Sequence, residues 1–214
     1  MMPSASAEAA STRLREASSS ALERRCDERE LLETALRIVD SEGLHALTMR
    51  HLGDAVSVEA MSLYKHVPSK EALLDLTVER MRSEMLLPDP LPADWVDLMA
   101  CIFGEYRRVL AAHPNMLPLA GRRADGLAPT GLEFLIGQGF APDDAVELYQ
   151  SLAAFTIGYS MLSSPFARID PSNWPGAVAD RARDWRDETC GRTLRMIIEG
   201  YGSRRHAARA AGGA

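Results

Sequence analysis

The sequence has few cysteines, few aromatic residues and no long apolar run. Its three cysteines, Cys26, Cys101 and Cys190, lie far apart and form no CxxC pair. This pattern fits a reducing compartment and offers no framework for a zinc site. No apolar stretch approaches the roughly 18 residues that a membrane span needs, and the N-terminus lacks the apolar segment of a secretory signal. We therefore expect a cytoplasmic protein with no metal site and no membrane partner.

Sequence motifs of catalysis are also missing. The chain contains no HExxH pair, no glycine-rich phosphate loop and no nucleophile motif. His113 lies near Glu105 and Arg107 in the sequence, but these three residues do not make up a catalytic constellation. We predict that the protein is not an enzyme and carries no cofactor.

Positive charge is scarce in the chain as a whole. The 24 Lys and Arg residues face 30 Asp and Glu residues, which gives a formal net charge of -6. This balance argues against a protein that coats nucleic acid nonspecifically. Specific binding needs only a local cationic surface, and Arg50, Lys65 and Lys70 lie close together in the sequence.

The residues that are abundant favour helices. Alternating runs rich in Val, Ile and Thr are scarce, whereas Ala, Leu, Arg and Glu dominate, so we predict an all-α fold. Apolar residues at helical spacing, capping residues and prolines define the helix limits. The predicted helices span about residues 27–41, 48–56, 58–64, 69–87, 93–112, 115–122, 130–138, 142–162 and 177–201.

Residues 47–74 (LTMRHLGDAVSVEAMSLYKHVPSKEALL) are the most informative segment. Thr48 and Ser69 are suited to cap the helices that follow them, and Pro68 interrupts the chain between these helices. We expect Leu52, Ala55 and Val56 to face inward from the first short helix. Two short helices with a tight corner between them are typical of a helix-turn-helix, whose second helix enters the major groove of DNA.

The LTMRHL, LYKHV and SKEALLD elements, in this order and without gaps, resemble the DNA-binding domain of the tetracycline-repressor (TetR) family of bacterial transcriptional regulators. The resemblance covers about residues 29–81. The commoner form of the family has Phe at the position of Val67. The valine makes this segment more similar to the tetracycline-repressor-like subgroup. Two residues depart from the family pattern. Gly53 replaces the usual Ala, and Ser57 replaces the usual Gly at the corner, a change that is tolerable if the backbone there does not require a positive φ.

The resemblance implies a role for individual residues in DNA binding. Arg50 matches a position that can reach a guanine edge, where an arginine forms two hydrogen bonds. Ala60, Met61 and Ser62 match positions that face the groove. Residues that match phosphate-contacting positions are Thr48, Tyr64, Lys65, His66 and Lys70. For His66, packing between helices is an equally good interpretation.

The resemblance also implies the domain organisation. An N-terminal three-helix helix-turn-helix DNA-binding domain is joined by a long helix to a larger helical ligand-binding and dimerisation domain. We expect the following limits: a disordered tail over 1–23, the DNA-binding domain over 24–70, the ligand-binding and dimerisation domain over 71–203, and a second disordered tail over 204–214.

The larger domain would bind a small-molecule effector whose identity the sequence does not give. Aromatic, Met and polar residues on its helices are potential lining residues, although such residues at helical spacing also form ordinary cores. These residues are Met99, Phe103, Arg107, Met116, Phe134, Gln138, Phe155, Tyr159 and Trp174. The proline-rich stretch 163–176, which contains Trp174, is a potential lid over the ligand.

Two helices of the larger domain carry a narrow apolar seam. Seams of this kind form helix-packing interfaces, and two from each chain can make a four-helix bundle across a two-fold axis. The same spacing also fits helices that face their own core. The residues assigned to a homodimer interface are Leu148, Leu152, Phe155, Leu194, Ile197 and Tyr201.

The resemblance therefore implies a ligand-responsive repressor that binds a palindromic double-stranded DNA operator as a homodimer and is released by a small molecule. The alternative is a helical module that binds a small molecule and has no specific DNA readout. The net negative charge and the apolar pair Ala60 and Met61 favour this alternative.

Overall fold

The structure is a computed structural model that describes residues 28–122, 128–167 and 187–211, and all regular structure within these ranges is helical. This confirms the all-α prediction. The α-helices are α1 (Glu28–Glu42), α2 (Met49–Ala55), α3 (Ala60–Leu63), α4 (Lys70–Arg82), α5 (Trp95–Ala112), α6 (Ala128–Gly137), α7 (Pro142–Ser163) and α8 (Asp187–Ala211), with 3-10 turns at Leu44–Ala46 and Pro114–Leu119. In the part of the chain that is described, no helix has the length and apolar content to cross a membrane.

The chain divides into two compact units, one ending at Arg80 and the other beginning at Met81. The boundary lies within α4, whereas the sequence suggested a limit at residue 70. Helix α4 ends at Arg82, earlier than the predicted end near Leu87. One reason is that the Leu86 N–H donates to Glu105 Oε2 at 2.9 Å instead of to a helical carbonyl.

The N-terminal unit packs α1 to α4 around an aliphatic core. The fully or almost fully buried side chains are Leu31, Ala35, Leu36, Ile38, Val39, Leu47, Leu52, Leu63, Val67, Leu73 and Val78. Both predicted caps are confirmed. The Thr48 hydroxyl accepts from the His51 N–H at 3.1 Å, and the Ser69 hydroxyl accepts from the Ala72 N–H at 3.0 Å. The inward orientation expected for Ala55 is wrong, because Ala55 is exposed and Val56 only half-buried at the end of α2.

The second unit is built around α5, which packs against α7 and α8. Asp94 caps α5 by accepting from the N–H groups of Val96 and Asp97. Most of the large apolar side chains of this helix are buried, including Met99, Phe103 and Leu110. Helix α5 therefore supplies the centre of this unit.

Helices α7 and α8 pack on each other within the same chain. Leu148, Leu152 and Leu194 on their predicted seams are buried in this packing. These three assignments to a dimer interface therefore need correction, because side chains already enclosed by their own chain offer no surface to a second subunit. The remaining assigned residues Phe155, Ile197 and Tyr201 are half-buried.

Helix α8 continues to Ala211, so most of the predicted disordered stretch 204–214 is helical. The predicted tail over 1–23, Trp174, and most of the potential lid over 163–176 lie outside the described residues.

Candidate functional site

The corner between α2 and α3 is unusually close-packed. The Val58 N–H donates to the Gly53 carbonyl at 2.9 Å. A Cβ built on Gly53 would lie 2.7 Å from the Val58 carbonyl oxygen and 3.3 Å from the Ala60 nitrogen. Both neighbours are backbone atoms, which cannot move aside as a flexible side chain can. The absence of a side chain at Gly53 therefore lets the two short helices approach each other.

Ser57 at the same corner has a φ of 58°. This is the left-handed region, in which a residue with a Cβ is disfavoured by about 1–2 kcal/mol. Serine at this position is therefore strained, because the backbone does adopt the positive φ that a glycine would tolerate. Ser57 also does not cap α3, because the N-cap position is occupied by Glu59, whose side chain makes no capping hydrogen bond.

The structure places most of the predicted DNA-binding residues on the surface of the N-terminal unit. Met61 is 75% exposed, the highest exposed fraction among the large apolar side chains that the structure describes. Ala60 and Ser62 are half-buried. The exposed members of the set are Thr48, Arg50, Met61, Tyr64, Lys65, His66 and Lys70. The exposure of His66 argues against the alternative that it packs between helices.

Local bonds hold the segment that presents Arg50. The Thr48 hydroxyl fixes the first turn of α2. His51, which follows Arg50, contacts the Ala46 carbonyl through Nδ1 at 3.2 Å and Glu42 Oε1 through Nε2 at 3.6 Å. Helix α2 is thereby held to the preceding turn and to the end of α1, while the Arg50 side chain extends into solvent.

The second unit contains a cavity with an empty volume of about 330 Å³, which includes solvent at its mouth. Its lining residues are Arg82, Ile102, Phe103, Tyr106, Tyr149, Ala153 and Ile157. Phe103 and Tyr149 meet edge to face with their ring centroids 5.4 Å apart. Burial raises the pKa of Tyr149 to about 12, so its hydroxyl is neutral at physiological pH.

Of the predicted ligand-binding residues, Phe103 lines this cavity. Met99 and Met116 are fully buried core residues. Arg107 pairs with Asp187 at 2.7 Å and lies 5.1 Å from the ring centroid of Tyr159, an arrangement that ties α5, α7 and α8 together. Phe134, Gln138 and Phe155 are half-buried and do not line the cavity.

The sequence interpretation did not assign six of the seven lining residues to a ligand site. Tyr149, Ala153 and Ile157 recur every four residues along one stripe of α7, and this spacing was a usable signal. Arg82 follows the apolar residues Val78 and Met81 at helical spacing, so a cation on the buried side of α4 could also have been noticed. Within the described ranges, His, Cys, Asp and Glu side chains nowhere gather in a group of three that could hold a metal ion.

Comparison with known proteins bears on this arrangement. The family described as "Bacterial regulatory proteins, tetR family" matches residues 31–76, which include α2, α3 and the exposed residues that the sequence predicts to bind DNA. An HTH-type transcriptional regulator from Saccharopolyspora erythraea is 29% identical over 159 residues, covering 72% of this chain and 67% of that protein. The tetracycline repressor protein class E from Escherichia coli is 29% identical over 140 residues, covering 60% of this chain and 64% of that protein. The matches thus span about two thirds of these relatives.

The similarity extends to the second unit at the level of the fold. ActR from Streptomyces coelicolor, a TetR family protein solved in complex with actinorhodin, is 23% identical and has a TM-score of 0.67, covering 83% of this chain and 95% of that chain. The resemblance seen in the LTMRHL, LYKHV and SKEALLD elements is therefore confirmed by sequence relatives and by the fold. The chain belongs to the TetR family of bacterial transcriptional regulators.

Proposed function

We propose that the protein is a cytoplasmic repressor that binds a palindromic operator as a homodimer and leaves it when a small molecule binds the second unit. The observation that carries this proposal is the exposed set on α2, α3 and the following turn. It combines the exposed side chains of Arg50, Tyr64, Lys65 and Lys70, the last at the start of α4, with the exposed Met61. An arrangement of this kind suits a short helix that enters the major groove with cations and hydroxyls beside it for phosphates.

Base readout in this proposal depends mainly on Arg50. Met61 can make only apolar contacts, for example to thymine methyl groups, and Ala60 has no polar side-chain atom. Arg50 has five N–H donors and can form two hydrogen bonds with a guanine edge. The phosphate contacts from Lys65 and Lys70 would make the affinity fall as salt rises.

We expect Arg50→Ala to weaken operator binding by about 1–3 kcal/mol, because the variant loses a bidentate base contact. The operator is first obtained by selection from a random pool of double-stranded DNA. Binding is then measured by fluorescence anisotropy at fixed salt. Arg37→Ala is the matched control, since Arg37 is an exposed arginine of the same unit that bonds to Thr34 on α1.

Equal operator affinity of Arg50→Ala and wild type would show that Arg50 does not read a base. A selection that enriches no palindrome would instead favour the small-molecule module without specific DNA readout.

The homodimer in this proposal uses the outward faces of α7 and α8. Ala154 and Met161 on α7 and Met196 on α8 are exposed, and Gly158 and Gly200 share these faces. A Cβ added at Gly158 or Gly200 would meet no atom of the described chain within 4 Å. A glycine inside a helix costs about 0.5–1 kcal/mol relative to alanine. Because packing within the chain does not require these glycines, their small size suits the close approach of a second subunit.

Gly158→Arg is expected to convert the dimer to a folded monomer, because the long charged side chain would enter the contact between the two subunits. Sedimentation equilibrium measures the association, and circular dichroism checks the fold. Gly137→Arg is the control, since this exposed glycine at the end of α6 also has open space around it. A Gly158→Arg variant that dimerises like wild type would exclude this face of α7 from the interface.

A further inference from the structure

Met61 presents an oxidisable thioether on the surface of α3. Its side chain is 75% exposed, whereas Leu63, two residues later, is buried in the core of the N-terminal unit. The thioether sulfur of a methionine can take up one oxygen atom from a peroxide and become a sulfoxide. Because so much of the Met61 side chain is open to solvent, a small oxidant dissolved in water can reach it.

The other methionines of the described ranges are better shielded from solvent. The buried ones are Met49, Met81, Met99 and Met116. Met85, between α4 and α5, is half-buried. Met161 and Met196 are 50% and 65% exposed, but they lie on the faces of α7 and α8 that the proposed homodimer would cover. Among the methionines that the structure describes, Met61 is therefore the one that a dissolved oxidant reaches most freely.

The cysteines of the described ranges lie away from the surface that is predicted to bind DNA. Cys101 is on α5 and Cys190 on α8, both in the second unit. The reactive form of a cysteine is the thiolate. Burial raises the pKa of both thiols, and the charge of Glu105 raises that of Cys101 further. Both side chains are therefore protonated at neutral pH, and their oxidation would leave the surface around Met61 unchanged.

A sulfoxide at Met61 would change the chemistry of the surface that the proposed function places against DNA. The unmodified side chain can make only apolar contacts there. A sulfoxide is polar, and a polar group that loses water without gaining a hydrogen-bond partner costs free energy. The fold would be retained, because the modified side chain lies outside the core to which Leu52 and Leu63 belong. Oxidation at this position therefore acts on DNA binding and not on the stability of the unit.

We propose that Met61 is a site of reversible oxidation at which a peroxide turns operator binding off. The inference rests on the proposed function, since it requires Met61 to lie against DNA. The sulfur lone pair attacks one oxygen of hydrogen peroxide, so that an S–O bond forms and the O–O bond breaks. The second oxygen leaves as water with both protons of the peroxide. The sulfur loses two electrons, and the peroxide is reduced by them. A methionine sulfoxide reductase, with a dithiol as reductant, reverses the change.

The test treats the purified full-length protein with hydrogen peroxide and compares its operator affinity before and after treatment by fluorescence anisotropy. Peptide mass spectrometry locates the sulfoxides, and circular dichroism checks the fold. We expect Met61 to be oxidised ahead of the other methionines of the described ranges, and the affinity of wild type to fall about tenfold or more. Met61→Leu has no sulfur at this position, so its own affinity should be the same before and after treatment. The matched control Met196→Leu, which removes another exposed methionine, should lose affinity as wild type does.

Two further measurements use the wild-type protein alone. Methionine sulfoxide reductase with dithiothreitol should restore the affinity of the oxidised protein, and bound operator should slow the oxidation of Met61. A Met61 that stays reduced, an oxidised Met61 with unchanged affinity, or a Met61→Leu protein that loses affinity as wild type does would each overturn the proposal. Failure of the untreated protein to bind any operator would contradict the proposed function itself, and that failure is seen before any oxidant is added.

Discussion

Gly53→Val is expected to destabilise the N-terminal unit by about 2–4 kcal/mol and to abolish operator binding. Overpacking in a close-packed site typically costs about 1–3 kcal/mol and occasionally more. Even the first added atom would lie 2.7 Å from the Val58 carbonyl oxygen, and two methyl groups follow it. Since the obstacle is backbone, the change must push α2 and α3 apart. The side chains on α3 would then no longer be held at their place in the reading surface.

Chemical denaturation followed by circular dichroism measures the free energy of unfolding, and anisotropy measures operator binding. Gly104→Val is the matched control. It places the same side chain on an exposed helical glycine of α5, where an added Cβ meets nothing within 4 Å. We expect this control to change stability by less than about 0.5 kcal/mol. A Gly53→Val protein that is as stable as wild type and binds the operator would show that the corner is not close-packed in solution.

The two departures from the family pattern belong to one structural feature. Gly53 allows α2 to approach the Val58 carbonyl, and Ser57, four residues later, adopts the positive φ that turns the chain into that approach. The substitutions Gly53→Ala and Ser57→Gly should therefore be coupled, because glycine at 57 lets the corner relax around an alanine at 53. Residues in contact through a shared backbone shift commonly show coupling of about 0.5–3 kcal/mol.

The features that were predicted correctly depend on contacts between residues that are close in the sequence. The caps at Thr48 and Ser69 each involve a hydroxyl and an N–H three residues later, so the spacing of two residues is enough to predict them. The exposed positions of Arg50 and Met61 could likewise be predicted from the helix-turn-helix pattern. The early end of α4 could not, because it involves a bond from Leu86 to Glu105, which lies on another helix.

The lining of the cavity could not be predicted from the sequence for the same reason. It brings together Arg82 on α4, three residues of α5 and three of α7, and no spacing along one helix specifies that meeting. From the sequence, Met99 and Met116 are potential lining residues of a ligand pocket. In the structure both are fully buried, since the tertiary packing encloses that side of α5 and the following turn.

The apolar seam on α7 yields the second large prediction. Leu152→Ala is expected to lower the free energy of unfolding by about 2–5 kcal/mol, the usual range for truncating a buried leucine. Leu152 is completely buried within its own chain, whereas Leu162, on the same seam by sequence spacing, is 48% exposed. The identical substitution at Leu162 is therefore the matched control, and its effect on stability should be below about 0.5 kcal/mol.

This pair of variants separates the two interpretations of the seam. If the seam were an interface along its whole length, both leucines would lose similar contacts, and both variants would weaken dimerisation in sedimentation equilibrium. Burial of Leu152 within its own chain predicts instead that its truncation leaves a cavity inside each subunit, and the loss then appears in the melting temperature. A Leu152→Ala protein that keeps wild-type stability but associates more weakly would show that the seam forms part of the dimer interface. The spacing of apolar residues indicates only which residues lie on the same side of a helix. The packing between helices decides whether that side contacts its own chain or a second subunit.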